Sequence, residues 1–286
     1  MRNLGLCADQ PLIPTDEEFY SLNEFIEAHF GLTFAEHKRG ILAGKLRPRI
    51  RALHLTSFND YYLRLQANLD DEVALLAVLV TNNETYLFRE RNHFDTLLSE
   101  GIPMLRQNLV VPGSLRVLCA GCSSGEEPHT MNFYLRRADV RLGGLEPHID
   151  AFDIDSTRVE MARKGSYRPR SVREMTEEQI RRYLTETEPD RYEVKSLYRK
   201  GVTFSSGNIV DVSSFRHPLA YDVLFCRNVL IYFSDRALRA AIDNFGTVLR
   251  PGGLLFLGHS ESIIGLSSQF ETVHLGRSIV YRKVGP

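Results

Sequence analysis

Leu115 to Pro128 reads LRVLCAGCSSGEEP. The apolar run Val117, Leu118, Cys119, Ala120 breaks at Gly121, small residues continue to Gly125, and Glu126 and Glu127 come directly after it. Strand, tight turn and helix are the reading, because glycine punctuates a strand and acids gather in a first helical turn. Glycine and serine also let the backbone come close to a ligand, since no large side chain intervenes. The loop therefore reads as the floor of a nucleotide pocket or as a plain αβ turn.

Charge narrows the ligand. A phosphate cradle of the GxxxxGK[ST] type ends in lysine, whereas Glu126 and Glu127 would repel a pyrophosphate. Two acids suit an uncharged ribose or a cation. S-adenosylmethionine offers both, through its hydroxyls, α-amino group and sulfonium. The lack of GxGxxG counts against a dinucleotide-dependent dehydrogenase.

Downstream the chain alternates strand and helix as a parallel α/β sheet does. Ile149 to Phe152 is a second strand ending in Asp153-Ile154-Asp155. Asp153 lies 28 residues past Gly125 (153 − 125), and an acid at that strand tip is where nucleotide-binding folds grip a ribose. Asp155 suits the N-cap of a helix Ser156 to Lys164, which leaves Asp153 for a ligand. From about 167 to 202 the alternation fails. A capping box at Thr176 and Gln179 opens a short helix there, and Arg191 to Lys195 with Leu197 to Arg199 reads as an exposed antiparallel pair. Strands resume at Val202 to Phe204, Tyr221 to Cys226 and Leu254 to Gly258, with a helix from Ser234 to Leu249 and a closing antiparallel pair within Glu271 to Tyr281. The loops holding Gly121 to Glu126, Asp153, Asn208 and Asn228 fall at the carboxyl edge, where such sheets bind ligands.

Upstream the signals are helical. Thr15 and Glu18 form a capping box, followed by Phe19, Leu22, Phe25, Ile26 and Phe30 at helical spacing. His37 to Leu53 carries six cations, Lys38, Arg39, Lys45, Arg47, Arg49 and Arg51, and no acid. Ile41, Leu42, Leu46, Ile50 and Leu53 would face the core, so the cations are expected on the other faces as solvated surface or as a dock for an acidic partner. Pro48 is expected to kink that helix. Ser57 to Leu65 and Asp71 to Val80 complete an all-helical module. The boundaries expected are a helical domain at 12–88, a linker helix at 89–112 and an α/β domain at 113–286. The polar run Thr81 to Glu90 is placed to line a pocket between them.

Lys and Arg number 35 against 36 Asp and Glu, so no global field points to nucleic acid or membrane. An RNA-modifying role would want a basic groove with exposed aromatics beside the pocket, and here the cations gather on one helix. Cys119 and Cys122 form one CxxC without the second pair a zinc site needs, so no metal is expected and the thiols read as reduced. No apolar run nears the ~20 residues of a spanning helix, and the start lacks a secretory pattern. A cytoplasmic monomer is the expectation.

TNNETYLFRE, AGCSSGEEP, FDID, GNI, FCRNVLIYF and LRPGGLLFLGHSES, in that order, closely resemble the chemotaxis receptor methyltransferases, the CheR family. The resemblance spans roughly residues 15 to 282. It implies a Rossmann-like S-adenosylmethionine-dependent methyltransferase sheet with a small antiparallel β insertion, preceded by an all-α domain. It implies methyl transfer to glutamate side chains on the cytoplasmic helical bundle of chemoreceptors, leaving S-adenosylhomocysteine. Carried over by residue, Asn83, Thr85, Arg89, Glu126, Asp153, Asn208, Ile209, Asn228 and Val229 would hold the cofactor. Arg89 and Tyr232 would orient the substrate carboxylate, and Lys45, Arg47 and Arg49 would face the receptor. Pro48 departs from the pattern. The insertion looks short between Tyr183 and Phe204, so action without a receptor C-terminal pentapeptide tether is expected. The alternative is a catalytically weak cofactor-binding adapter on receptor arrays.

Overall fold

Thr15 starts the first helix as its spacing predicts: its side chain accepts from the Glu18 amide while Glu18 returns a bond to the Thr15 amide. In the computed structural model, which describes residues 12–67, 71–137, 142, 144–215 and 218–285, the chain divides into two units, Met1–Thr81 and Asn82–Pro286. Residues 82–112, expected as a domain end and a linker, belong to the second unit.

The described part of the first unit is helical. Helix α1 (Asp16–Phe30) buries Phe19, Leu22, Ile26 and Phe30 and stops at Gly31 in the left-handed region, where a side chain would be strained. Helices α2 (Arg39–Ala52), α3 (Phe58–Gln66) and α4 (Glu72–Val80) come after it. Helix α2 runs on through Pro48 at the loss of one i→i−4 bond. Leu42, Ala43, Leu46 and Ile50 form its buried stripe, whereas Ile41, expected inward, is 54% exposed.

Three of the six cations, Arg39, Lys45 and Arg49, are partnered from elsewhere in the unit, which corrects in part the picture of an unpaired basic face. Arg49 grips the fully buried Glu72 through Nε at 2.9 Å and Nη2 at 2.6 Å. Lys45 donates to the carbonyls of Leu79 and Thr81 at 3.2 and 2.8 Å, capping the end of α4, and Arg39 pairs with Asp16 at 2.5 Å. Of the three expected docking residues, Arg47 alone has no partner beyond its own helix among the described residues, donating from Nε to the Ala43 carbonyl.

Glu72 also accepts from the buried Tyr61 hydroxyl at 3.0 Å. Burial works to raise its carboxyl pKa, but Arg49 and Tyr61 outweigh that and hold it below the ordinary value of 4.5. The stabilisation is therefore complete above that value and is lost as pH falls through the folded one. Glu72→Ala is expected to destabilise the unit by about 3 kcal/mol at neutral pH, with a smaller difference in acid, because it strands Arg49 and Tyr61. Urea unfolding at the two pH values measures this; an equal difference at both would contradict it.

In the second unit, helical turns (α5, Arg91–Thr96; a π segment, Leu97–Gly101; α6, Ile102–Leu105) lead to strand β1, Ser114–Ala120. Helix α7 (Glu126–Arg137), strand β2 (Glu146–Asp153) and helix α8 (Ser156–Lys164) come next. The insertion holds β3 (Ser166–Tyr167), α9 (Pro169–Val172), α10 (Glu177–Tyr183), β4 (Leu184–Glu188), β5 (Arg191–Val194) and α11 (Ser196–Arg199). Strands β6 (Val202–Ser206) and β7 (Tyr221–Cys226), helix α12 (Asp235–Val248), and strands β8 (Leu249–Leu257), β9 (Phe270–Leu275) and β10 (Ser278–Lys283) complete it.

The sheet order is β6-β2-β1-β7-β8-β10-β9. Its first five strands pair in parallel and the last two form an antiparallel edge. Strand β7 is buried along its whole length, as its unbroken apolar run requires at the centre of a two-faced sheet. Beside it the insertion forms a separate sheet, β3-β5-β4. The partners of Arg191–Val194 are the upstream Leu184–Glu188 and Ser166–Tyr167, and the expected strand at Leu197 is the helical turn Ser196–Arg199. Among the described residues no helix is long and apolar enough to cross a membrane, and no group of three His, Cys, Asp or Glu side chains is placed to hold a metal. Cys119, Cys122 and Cys226 are buried and unbridged, and burial pushes their thiols up.

Candidate active site

Four strand ends converge at the carboxyl edge, and hydrogen bonds lock those of β1, β2 and β6 together. The amides of Gly121 and Cys122 donate to the Phe152 carbonyl at 2.9 and 3.0 Å, and the Gly207 amide donates to that of Asp153 at 3.0 Å. Gly121 has φ of 80°, and a Cβ there would lie 2.6 Å from Cγ2 of Val229 and 3.7 Å from Cδ1 of Ile209. Only glycine fits this close approach, which brings the loop, Ile209 and Val229 together as one apolar wall.

Asp155 takes the N-cap as its spacing predicts, accepting from the amides of Thr157 and Arg158. Its other oxygen accepts from Asn83 at 2.9 Å, bringing the 82–90 segment to this edge. Asp153, read as left free for a ligand, is engaged: Oδ2 accepts from the Ser123 amide at 2.7 Å and Oδ1 from the Asp155 amide at 2.9 Å. Burial raises its carboxyl pKa against these bonds. Each oxygen keeps a lone pair, so the carboxylate both ties down the glycine loop and retains acceptor capacity.

Glu126 is 2% exposed and accepts from the hydroxyls of Ser124 and Ser171, each at 2.8 Å. Burial pushes its pKa up. Asn208 stands just past β6, with its amide on the Ser214 hydroxyl and its Oδ1 accepting from the Val210 amide.

The 82–90 segment is pinned along its length. The Leu87 amide donates to the Ser171 carbonyl at 2.9 Å and the Phe88 amide to the Thr130 hydroxyl at 3.0 Å. Phe88 and Glu90 both adopt positive φ, 64° and 52°, a strain that its surroundings must hold in place. Arg89 donates from Nη1 to the Glu84 carbonyl at 2.8 Å and lies 5.8 Å from the Tyr86 ring. Glu84 pairs with Arg170 and Arg173. Thr85 is half-buried and makes none of these bonds.

Two features of the site escaped the reading of the sequence. Arg227, its side chain 2% exposed, pairs with Glu127 at 2.9 Å and Glu90 at 3.0 Å and donates to the Arg89 carbonyl at 2.9 Å. Burial pushes Glu127 up in spite of Arg227, whereas for Glu90 the guanidinium outweighs burial and holds the carboxyl below its usual range. The signal was a charge directly after six buried strand residues, since a buried cation must find partners. The second is Glu261. Its carboxylate accepts from the amides of Asn228, Val229, Leu230 and Gly258 at 2.6–2.9 Å, with Ile231 at 3.4 Å. It holds Asn228 in the left-handed region, φ 60°, and fixes the turn Leu230–Tyr232. The signal was the acid just past Gly258, within GHSES. The Tyr232 hydroxyl at the end of that turn accepts from Asn82 at 2.7 Å.

Acids, a glycine at a close approach and an apolar wall suit a nucleoside with a cationic tail. No lysine or arginine lies in the Gly121–Gly125 loop to receive a pyrophosphate.

Residues 83–279 match the CheR methyltransferase, SAM binding domain, and residues 17–81 match the CheR methyltransferase, all-alpha domain. Chemotaxis protein methyltransferase 2 of Vibrio cholerae is 34% identical over 275 residues, 95% of this chain and 94% of that protein. The chemotaxis protein methyltransferases of Salmonella typhimurium and Escherichia coli are 33% and 32% identical, over 91% and 94% of this chain and 89% and 92% of their own lengths. With these matches over the same strand ends, loops and helices, the chain belongs to the CheR methyltransferase family, S-adenosylmethionine-dependent enzymes of chemotaxis.

Proposed function

We propose that this methyltransferase esterifies glutamate side chains on the cytoplasmic helical bundle of chemoreceptors. The observation that carries this reading is the 2.7 Å bond between Asn82 and Tyr232, which ties the segment bearing Arg89 to the loop bearing Asn228 and Val229. In this reading Arg89 is the carboxylate positioner, and the bond supports its acting at one edge with the Tyr232 phenol and the residues proposed for the cofactor.

The cofactor, when bound, supplies a methyl group on a sulfonium. A glutamate is already ionised at neutral pH, with a reference pKa of about 4.3, so no general base is required. The protein's task is placement, which supplies roughly 7–11 kcal/mol when the attacking oxygen is held in line at near contact. In this reading Arg89 holds the spare carboxylate oxygen and Tyr232 sets its rotation. Carboxylate charge is lost as the ester forms, so Arg89 serves orientation rather than charge stabilisation. Docking falls to cations of α2 that reach solvent, Arg47 among them.

Transfer of labelled methyl from S-adenosylmethionine to a receptor cytoplasmic fragment, with base-labile label mapped to glutamate by mass spectrometry, tests this. Label on lysine or arginine, stable to base, would overturn it. Tyr232→Phe is expected to lower kcat roughly 10- to 100-fold with S-adenosylhomocysteine affinity changed less than about twofold. Parallel loss of both would remove Tyr232 from its assigned role.

A further inference from the structure

The second unit has a cavity of about 470 Å³ that borders β6, the edge strand of the sheet. Arg163, Arg199, Lys200, His129, Thr203 and Phe204 line it. That volume is in the range of small-molecule sites.

Its lining contains three cations and no acid. The nearby Glu160 pairs with Arg163, and Arg163 also donates to the Phe204 carbonyl at 2.9 Å, so it closes one wall. Lys200 has no acidic partner among the described residues, and Arg199 makes one bond, to the Arg163 carbonyl at 2.7 Å. The turn presenting these two side chains is rigid. Buried Asn132 donates to the carbonyls of Tyr198 and Lys200 at 2.7 and 3.1 Å, and Arg136 donates to that of Lys200 at 3.0 Å. Gly201 makes the next step possible with φ of 80°, where a Cβ would lie 2.8 Å from the Pro147 carbonyl oxygen.

His129 adds a directional group. The Tyr167 hydroxyl donates to the Ser124 carbonyl at 3.1 Å, so the 2.6 Å contact between that hydroxyl and His129 Nδ1 requires the ring nitrogen to be the donor. Burial holds the imidazole neutral, with its pKa lowered to about 3. Nε2 is left as an acceptor. The half-buried Phe204 ring supplies an apolar wall. Two solvent-facing cations on a fixed turn, an uncharged acceptor and an aromatic face form an amphipathic anion site.

We propose that this cavity binds a phosphorylated small molecule, its phosphate on Arg199 and Lys200 and a hydroxyl or N–H donor toward His129. The planar guanidinium suits two phosphate oxygens at once, and the ammonium adds a point charge.

Calorimetric titration of the full chain with inorganic pyrophosphate, with and without saturating S-adenosylhomocysteine, tests the proposal. One saturable site is expected under both conditions, weakening as salt is raised. The double substitution Arg199→Gln with Lys200→Gln is expected to weaken it at least about tenfold. Both side chains are exposed, so the variant retains its fold. In the wild type, the His129 ring resonances are expected to shift on titration. Absence of saturable binding, equal binding by the variant, competition by S-adenosylhomocysteine, or binding without a His129 shift would each overturn the assignment.

Discussion

Glu261→Ala is expected to lower kcat/KM for methyl transfer by about 100-fold or more, the scale at which a misplaced loop costs an enzyme. Four amides within 2.9 Å and a fifth at 3.4 Å share this carboxylate, so its removal strips acceptors from Gly258 and from every residue between Asn228 and Ile231. Each buried amide left unmatched costs about 1–3 kcal/mol, and the loop is expected to open until water reaches them. Asn228 then leaves its left-handed conformation, and Val229 and Tyr232 leave with it. Glutamine at 261 is also expected to fail, because its NH2 group faces donors where an oxygen is needed. The space is closed to compensation from Gly258, where a Cβ would lie 2.7 Å from Glu261 Oε2 and 2.8 Å from the Asn228 nitrogen. Hydrogen exchange separates the local effect from unfolding: amides 228–231 are expected to lose protection while those of β7 keep it. Activity within about threefold of the parent would show that the loop finds its geometry without the clamp.

Asp153→Ala is expected to weaken S-adenosylhomocysteine binding by about two to four orders of magnitude. Two hydroxyl bonds to a buried carboxylate, at about 1.5–3 kcal/mol each, give that range. The amides of Ser123 and Asp155 lose their acceptors as well, so the glycine loop slackens with the contact. Asp153→Asn discriminates the two roles. It keeps an acceptor oxygen for one amide but brings donors to the other, so partial loss of affinity with a near-parental melting temperature is the expected result. Titration calorimetry with a thermal melt of each variant reads both quantities, and affinity unchanged by alanine would remove Asp153 from the cofactor site.

The local chemistry of this chain was written in its sequence. Thr15 with Glu18, Thr176 with Gln179 and Asp155 cap the helices that their spacing announces, because a cap is a bond between residues two or three apart. The glycine turn after β1 and the apolar run of β7 likewise needed only neighbours to be read, and with the ordered motifs they gave the α/β class and the family. What tertiary structure alone decided are the partners of charges. Lys45 and Arg49 lie on a helix without a single acid, yet they bind the carbonyl end of α4 and a glutamate 23 positions away. Asp153 has the spacing of a free acid and instead holds Ser123, 30 positions away. Arg227 reaches back to Glu127 across 100 positions, and Glu261 closes a loop 30 to 33 residues before it. The strand pair of the insertion was misassigned for the same reason: Arg191–Val194 alternates correctly, but alternation does not name a partner. A buried charge must be matched, and sequence states that requirement at one position while only the fold brings the matching group to it.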